Sequence, residues 1–217
     1  MPRQFDVPDE VIQSVITQRS SPEVYSPYLA SIYDQHVIGV NMAYKIGDWI
    51  DMVFFGDNKF FLMERERLAK FPGLKVTCNP KFASGRFSDE RVKYLAQDKQ
   101  HRHGISSNPG MVCWNTNSGA ATISVAANAG VKRIVLLGFD MKATDGNQHW
   151  HSLYKSVADG KDGQKRTTRV SLPFRRHLLG FPEIARDAQR RGIEILNVSP
   201  DSAIDVFPKV SLTEALK

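Results

Sequence analysis

NSGAATISVAANAGVKRIVLLGFDMKATDGNQHWH, residues 117–151, contains in order a turn, a small-residue helix, a tight turn, a buried strand and a polar loop. Asn117 and Ser118 suit the start of the helix, because a side-chain oxygen at the cap accepts a hydrogen bond from a free amide N–H. The alanines that follow predict a helix that lies close against a sheet. Gly130 fits the left-handed position just past the helix end.

The apolar run Ile134–Leu137 predicts a strand that is covered on both faces and ends at Gly138. Asp140 follows at the carboxyl end, which is the edge of an open α/β sheet where ligands bind. The free N–H groups around Ser118 form an anion site on the same side of the sheet. We therefore expect the helix start, the strand-end carboxylate and the His-rich loop to converge on one crevice.

Strand-like and helix-like segments alternate along the rest of the chain, with short connections between them. The alternation predicts the α/β class, with a Rossmann-like, mainly parallel sheet and helices on both faces. Strands are expected at 36–40, 50–55, 74–78, 134–137 and 193–198, with short strands near 104–106 and 111–114 and a weak helix or strand near 92–95. Helices are expected at 8–18, 60–71, 118–129, 182–191 and 211–216. Residues 1–35 are weakly patterned and are expected to form an N-terminal arm on a Rossmann-like domain of residues 36–217.

The composition is that of a globular protein with a sizeable core, because 41% of its 217 residues are hydrophobic. No run is long enough to cross a bilayer and no N-terminal segment has the pattern of a secretion signal, so a cytoplasmic protein is expected. Cys78 and Cys113 lack metal-type spacing and are expected as reduced core thiols. The net charge of +6 favours anionic partners such as nucleotides, phosphates or nucleic acid, or serves solubility alone.

Two further strands end in a polar side chain: Asn41 follows the segment 36–40, and Asp57 follows the segment 50–55. An Asn at this place presents a donor and an acceptor into a crevice, or simply caps a turn. Asp57 and Asp140, if they lie close together, can hold Mg²⁺ through water, since this cation prefers oxygen ligands. Both carboxylates are therefore candidate metal ligands.

Histidines supply the candidate catalytic groups. His149 and His151 flank a tryptophan, so in an extended loop both imidazoles point the same way while Trp150 turns into the core. Histidine near neutral pH acts as a general base or a metal ligand, and a structural role is the alternative. Residues 142–173 are expected to form a long, mobile loop, and the basic side chains at 161–176 either close over an anionic ligand or stay solvated.

Several common enzyme signatures are absent from the sequence. It contains no G-x-S-x-G elbow, no G-x-x-x-x-G-K-S/T loop and no dinucleotide-binding G-x-G-x-x-G turn. It also lacks the HExxH and CxxC patterns that indicate a zinc site. These absences disfavour a P-loop enzyme and an ordinary dehydrogenase.

Two segments, VIGVNMAYKIGDWIDMVFFGD at 37–57 and NSGAATISVAANAGVKRIVLLGFD at 117–140, resemble the MptE-like family. That family is similar to archaeal 6-hydroxymethylpterin diphosphokinase and to the bacterial family 42 sialyltransferases. Phage-encoded relatives of unassigned activity look closest, through NSGAA, LLGFDMK and HWH. The likeness covers residues 36–205 and follows the order of the elements.

The resemblance implies roles for individual residues. Asn41 matches an Asn that contacts the cytidine nucleotide in the sialyltransferases. Ser118 and Gly119 match a Ser-Gly pair at the helix start that contacts the donor. His177 lies near the place of the catalytic base, which precedes the last helix and strand.

The sequence also departs from the family at three places. Asp57 stands where the sialyltransferases have a second nucleotide-contacting Asn, and Lys142 stands where they have a Tyr that contacts the donor phosphate. Relatives normally begin with a strand and a G-x-G-P-S turn that holds phosphate or nucleotide, and this chain has no such turn before Asn41. Either the crevice uses other groups, or the family's enzyme activity has been lost.

We therefore expect a nucleotide-binding transferase that moves a glycosyl or diphosphoryl group from a nucleotide or nucleotide-sugar donor, with Mg²⁺ as the candidate cofactor. The candidate donor-binding residues are Asn41, Asp57, Asn117, Ser118, Gly119 and Gly138. The candidate catalytic residues are Asp140, His149, His151 and His177. The alternative is a non-catalytic binder of nucleotide, nucleic acid or protein derived from that family, with the basic loop as the nucleic-acid contact. Both hypotheses are compatible with a homo-oligomer, and no contact with a membrane is expected.

Overall fold

The protein has a mixed α/β fold in which every paired strand runs parallel to its neighbour, within the part that the structure describes. The structure is a computed structural model that describes residues 2–142, 150–151, 153 and 174–217. The sequence-based prediction for His149 and most of the prediction for the loop 142–173 lie outside these residues.

The strands are short and follow one another as the sequence predicts. They are β1 Ile38–Val40, β2 Met52–Phe55, β3 Leu74–Thr77, β4 Val92–Tyr94, β5 Ala96–Gln97, β6 Met111–Val112, β7 Arg133–Leu136 and β8 Glu194–Asn197. The α-helices are α1 Asp9–Ile16, α2 Asn58–Leu68, α3 Pro80–Ala83, α4 Ser118–Asn128, α5 Phe174–His177, α6 Phe181–Arg190 and α7 Leu212–Ala215. Stretches of 3₁₀ helix lie at Pro2–Phe5, Pro22–Ile32, Asn41–Ile46 and Leu178–Gly180.

Three groups of strands are separately hydrogen-bonded. The largest sheet has the order β1-β2-β3-β4, while β5 pairs with β6 and β7 pairs with β8. In the large sheet Gly39 lies opposite Val53, and in the β7–β8 pair Ile134 lies opposite Ile195. No hydrogen bond joins β1 to β7 in the described part of the chain, so the two groups of strands remain distinct.

The large sheet is covered on both faces. Alternate side chains of a strand point to opposite faces, and in β2 the neighbours Phe54 and Phe55 belong to different hydrophobic clusters. Phe55 packs with Phe60 and Phe61 of α2, whereas Phe54 packs in the cluster that contains Ala121 of α4. The short side chains of α4 allow the close approach that the sequence predicts.

The N-terminal segment packs into the main core. Phe5, Val7 and Val15 are buried in the same cluster as Val53 of β2. α1 confirms the amphipathic helix that the spacing of apolar residues predicts at 8–18. Residues 1–35, expected as an arm, therefore contribute directly to the core around β2 wherever their side chains are described.

Two predictions about strands are wrong. Residues 104–106 form no strand; instead the side chain of Asn115 is hydrogen-bonded to the backbone N–H and C=O of Gly104, at 2.8 and 2.9 Å. The strand β7 is not covered on both faces, because Ile134 and Val135 are only half-buried and Arg133 is exposed. The exposure follows from pairing, since β7 has a hydrogen-bonded neighbour on one edge only among the described residues.

The two cysteines are free and buried, as the sequence predicts. Burial raises the pKa of each thiol to about 12, so both stay protonated near neutral pH. Among the described helices, none is long and apolar enough to span a membrane.

Candidate functional site

A cleft of about 1390 Å³ lies between β1 and β7 and reaches the first turn of α4. Its lining includes every predicted site residue that the structure describes: Asn41, Asp57, Asn117, Ser118, Gly119, Gly138, Asp140, His151 and His177. The structure thus brings together residues that are far apart in sequence.

The carboxyl ends of two strands meet the first turn of α4. Gly56 follows β2, and a Cβ added to it would collide with the Trp114 ring and lie 3.4 Å from Ser118 Oγ. A Cβ added to Gly119 would lie 3.0 Å from a ring carbon of Phe139, which follows β7. At Gly56 the close approach requires a residue without a side chain, whereas at Gly119 the Phe139 ring would have to shift only slightly, and both contacts place the ends of β2 and β7 beside the start of α4.

The start of α4 leaves two backbone donors free. Asn117 caps the helix as predicted, because its side-chain oxygen accepts a hydrogen bond from Ala120 N–H at 2.7 Å. Its backbone oxygen accepts from Ala121 N–H at 3.1 Å. The N–H groups of Ser118 and Gly119 donate no hydrogen bond to any described residue. Free N–H groups at the positive end of a helix dipole attract anions.

Two buried polar atoms in the cleft also lack a partner among the described residues. Ser118 is only 5% exposed, and its hydroxyl oxygen makes no hydrogen bond. The side-chain oxygen of Asn41, at the end of β1, is likewise buried and unpartnered. An unsatisfied buried polar atom costs about 1–3 kcal/mol, so such atoms are typical of places where a ligand completes the hydrogen bonding.

Strained backbone borders the cleft. Asn41, Thr116 and Met141 all line it with positive φ angles of 50°, 64° and 50°. The conformation is least favourable for Thr116, because its side chain branches at Cβ. Each strained residue costs about 1–3 kcal/mol, and strain of this kind clusters at binding and catalytic sites. Thr116 is held by a hydrogen bond from its hydroxyl to Arg176 O at 2.8 Å.

His177 is positioned beside the start of α4. The side-chain nitrogen of Asn117 donates to His177 O at 3.2 Å, so the helix cap also anchors α5. The imidazole is half-buried, and burial, followed by the charge of Arg176, lowers its pKa below 6.5. His177 is therefore neutral at pH 7 and able to accept a proton.

His151 is buried and lines the cleft, as predicted. Its Nδ1 atom accepts a hydrogen bond from Leu153 N–H at 3.2 Å, and its ring stands edge-on to Trp150 with centroids 4.8 Å apart. Trp150 packs on the main core around β2, where its ring lies 5.7 Å from that of Tyr25, and it also reaches the cleft.

The two predicted metal ligands, Asp57 and Asp140, both line the cleft. In the described part of the chain no cluster of three or more His, Cys, Asp or Glu side chains is suited to a metal ion. Asp57 is accessible from the cleft, but the surrounding walls remove enough water to raise the pKa of its carboxyl above the ordinary value. The Mg²⁺ site stays a prediction, since Mg²⁺ is often held by one or two carboxylates together with substrate phosphates.

The sequence reasoning missed several residues that line the cleft. Trp114 presents an aromatic ring next to Gly56, and Lys59 and Arg102 add positive charge, together with Arg176 from the predicted basic segment 161–176. Lys59 carried a usable signal, because it comes two residues after a strand-end Asp. Trp114 ends a weakly predicted strand and Arg102 lies in a polar segment, so the place of these two side chains became visible only in the folded chain. Basic side chains outnumber the two carboxylates along the cleft, which favours an anionic ligand.

Comparison with known proteins gives no match: no protein-family model, no curated protein and no solved structure is significantly similar to the chain. What the protein does must therefore be inferred from the chemistry of the cleft itself. That chemistry combines free N–H donors and an unpartnered hydroxyl at the start of α4 with a neutral histidine nearby.

Proposed function

We propose that the protein is a nucleotide-binding transferase that moves a glycosyl or diphosphoryl group from a nucleotide donor. The observation that carries the proposal is the start of α4. There the free N–H groups of Ser118 and Gly119 and the buried, unpartnered Ser118 hydroxyl face one cleft. Three convergent donors at a helix N-terminus match the oxygens of a phosphate group.

The rest of the cleft suits the other parts of a nucleotide. The unpartnered oxygen of Asn41 accepts a hydrogen bond from an exocyclic amino group of a base. Trp114 offers a ring on which a base stacks, an interaction worth about 1–3 kcal/mol. Lys59 and Arg102 line the same cleft and complement a phosphate chain.

The transfer step needs a base near the donor phosphate, and His177 fits this role. An acceptor hydroxyl attacks the anomeric carbon or the β-phosphorus of the donor and gives its proton to the neutral imidazole. The bond to the nucleotide's phosphate oxygen breaks, and its electron pair leaves with the nucleotide. The N–H groups of Ser118 and Gly119 stabilise the negative charge that develops there.

The order of the strands supports a Rossmann-like arrangement, the fold that the resemblance to the MptE-like family implies. The chain moves outward from β1 to β4 and then returns through α4, which packs against both β1 and β7. A reversal of this kind creates a crevice at the carboxyl ends of the strands, where doubly wound folds bind ligands. Asp57 and Asp140 are the residues that would hold Mg²⁺ against the donor phosphates, and the ion would supply charge neutralisation there.

Calorimetric titration with CMP, CDP, UDP and ATP, with and without Mg²⁺, tests the proposal. We expect at least one nucleotide to bind, and Ser118→Ala to weaken it about tenfold, because a hydrogen bond to a charged group is worth about 1.5–3 kcal/mol. Ser124→Ala is the matched control: Ser124 lies in the same helix, outside the cleft lining, and donates to Gly104 O at 3.2 Å. It should leave affinity unchanged. Absence of binding at millimolar nucleotide, or equal affinity in both variants, contradicts the proposal.

A second candidate is a non-catalytic binder of nucleic acid. Arg175 and Arg176 are exposed on α5 beside the cleft, and the chain carries a net charge of +6. Filter binding to single- and double-stranded nucleic acid over a salt series separates the two functions. A steep fall in affinity with salt supports the binder, whereas no binding at low salt removes it.

A further inference from the structure

The turn of residues 115–117, which we call the α4 turn, joins the start of α4 to a part of the chain that is distant in sequence. On one side it runs directly into α4, so its backbone sets the direction of the free N–H groups of Ser118 and Gly119. On the other side it contacts the segment 174–180, which contains α5 and His177. The two main features of the candidate site therefore meet at this turn.

Two hydrogen bonds connect the α4 turn to α5. Thr116 Oγ1 donates to Arg176 O at 2.8 Å, and Asn117 Nδ2 donates to His177 O at 3.2 Å. Both acceptors are backbone oxygens, so these bonds fix the helix backbone from which the imidazole projects. The side-chain oxygen of Asn117 accepts from Ala120 N–H at 2.7 Å, so one amide group serves both helices.

The beginning of the turn is fixed by other contacts. Asn115 is 0% exposed, and its side chain binds the backbone N–H and C=O of Gly104 at 2.8 and 2.9 Å. A Cβ added to Gly180 would lie 2.7 Å from the side-chain oxygen of Asn115, so the chain beyond α5 packs directly on this residue. The turn thus has one anchored end, while the hydrogen bonds of Thr116 and Asn117 reach α5.

The backbone of the turn is strained. Asn115 and Thr116 have φ angles of 53° and 64°, in the left-handed region that favours glycine. Asn tolerates this conformation better than Thr does, because the Thr side chain branches at Cβ. A residue in such a conformation persists only where its surroundings hold it, and the hydroxyl of Thr116 is bonded to α5.

We propose that Thr116 and Asn117 are positioning residues that couple the docking of α5 to the conformation of the anion site at the start of α4. When α5 is docked, its carbonyl oxygens hold the turn in the strained form that directs the N–H groups of Ser118 and Gly119 into the cleft. When α5 leaves, Thr116 relaxes towards negative φ and the start of α4 changes with it. The anion site and the histidine are therefore assembled together.

Coupling of this kind works in both directions. An anion that binds the N–H groups of Ser118 and Gly119 stabilises the strained turn, and thereby the docked position of His177. By linkage, release of α5 weakens binding of the anion by the same factor. The assignment of anion site and base rests on the proposed function, whereas the coupling between the turn and α5 belongs to the ligand-free chain and is measured there.

Three substitutions of Thr116 separate the hydroxyl from the strain. Thr116→Ser keeps the hydroxyl and should behave as the unaltered protein. Thr116→Val keeps the branched shape but removes the donor, so both α5 and the start of α4 should lose their positions. Thr116→Gly also removes the donor but adopts a positive φ readily, so α5 should be released while the start of α4 stays in place.

Hydrogen–deuterium exchange and NMR of the ligand-free chain give the readouts. In Thr116→Val the amides of residues 177–180 and of Ala120 should exchange at least about fivefold faster, the effect of one lost hydrogen bond. In the glycine variant only residues 177–180 should respond. The His177 imidazole adds a spectroscopic signature: burial, followed by the charge of Arg176, lowers its pKa, so release of α5 should move the pKa towards 6.5.

Asn117→Ser tests the second hydrogen bond. Serine caps a helix as well as asparagine does, but it has no nitrogen to donate to His177 O. We expect the Ala120 amide to stay protected in this variant, because Thr116 still holds the turn, while residues 177–180 exchange faster. Should Thr116→Val fail to fold, this variant and the glycine variant put the same inference at risk by the same measurements.

The inference is overturned if Thr116→Val leaves the exchange of residues 177–180 and the pKa of His177 unchanged, or if Thr116→Ser alters them as strongly. It is also overturned if the valine and glycine variants expose the Ala120 amide equally, since strain would then play no part. Failure of every nucleotide to bind is a separate result, which removes the proposed function and leaves these ligand-free measurements as they are.

Discussion

β2 and β7 are both short parallel strands, with the sequences MVFF and RIVL, yet they differ in strand pairing and in burial. β2 has a hydrogen-bonded strand on each side, and Val53, Phe54 and Phe55 are 0% exposed. β7 pairs only with β8 among the described residues, and Ile134 and Val135 stay half-buried. Two paired edges therefore accompany complete burial in β2, whereas β7, with one described partner, keeps its central side chains half-buried.

Buried polar groups show the same contrast. Beside the main core, Glu64 is 4% exposed, accepts a hydrogen bond from Tyr44 OH at 2.5 Å and forms an ion pair with Lys45 at 3.1 Å. At the cleft the hydroxyl of Ser118 is equally buried and has no partner in the described structure. The Glu64 group is thus satisfied within the core, whereas the Ser118 hydroxyl lies in the cleft where a ligand is expected to bind.

The largest effect should come from Glu64→Gln. The substitution preserves shape but leaves the Lys45 charge buried without its carboxylate, and breaking a buried pair costs about 3–5 kcal/mol. Urea unfolding measures the loss, with Ser118→Ala as the contrasting variant at the cleft, expected to change stability by less than about 1 kcal/mol. Equal losses in the two variants would remove the distinction between satisfied and unsatisfied groups.

A valine-to-alanine pair compares the two strands directly. Val53→Ala removes fully buried methyl groups and should destabilise the fold by about 2–3 kcal/mol. Val135→Ala makes the identical change on a half-buried strand and should cost less than about 1 kcal/mol. The two variants are compared by their midpoints of urea unfolding, with the same dependence of unfolding free energy on urea concentration in both. If Val135→Ala proves the costlier of the two, β7 does not have the open edge described above.

Tyr25→Phe should be neutral or slightly stabilising. The Tyr25 hydroxyl is buried without a partner among the described residues, and burial raises its pKa to about 12. Removing an unsatisfied buried hydroxyl relieves a desolvation cost of about 1 kcal/mol or more while the ring contact with Trp150 remains. Thermal unfolding measures the change, and Tyr44→Phe serves as the control because that hydroxyl does have a buried partner. A clear destabilisation by Tyr25→Phe would show that the hydroxyl is bonded after all.

The smallest expected effect is the contribution of His177 to the pH dependence of stability. Its pKa in the folded protein lies below 6.5, so the unfolded chain binds the extra proton more readily at mildly acidic pH. The contribution of His177 to stability is therefore complete above pH 6.5 and falls as the pH drops below it. NMR titration of the imidazole should give a pKa below 6.5, and Arg176→Gln should raise it only partly, because burial is the larger cause. A titration at or above 6.5 would contradict this description of the site.

Local chemistry made much of the α4 region predictable from the sequence. Asn117 caps the helix, Gly130 has the left-handed φ of 87°, and polar residues follow the strands. These features depend on a few neighbouring residues, which is why they can be read without a fold. The strained conformation of Thr116 and its bond to Arg176 join residues 60 positions apart, and no local pattern contains that information.

The open edge of β7 was not predictable for a different reason. Its sequence matches a strand that is covered on both faces, and the prediction was wrong because exposure depends on which strands become neighbours. The pattern of one strand does not specify its partner. The N-terminal segment makes the same point, since its apolar residues proved to be part of the core around β2.

The most direct test of the cleft's role is a two-dimensional amide NMR titration of the protein with CDP and UDP. Free N–H groups at the start of α4 that bind phosphate must change their environment when a nucleotide occupies the cleft. The resonances of Ser118 and Gly119 should show the largest shifts and saturate with the bound fraction. If these two amides keep their positions at saturating nucleotide, the start of α4 is not an anion site, and the proposed function loses its physical basis.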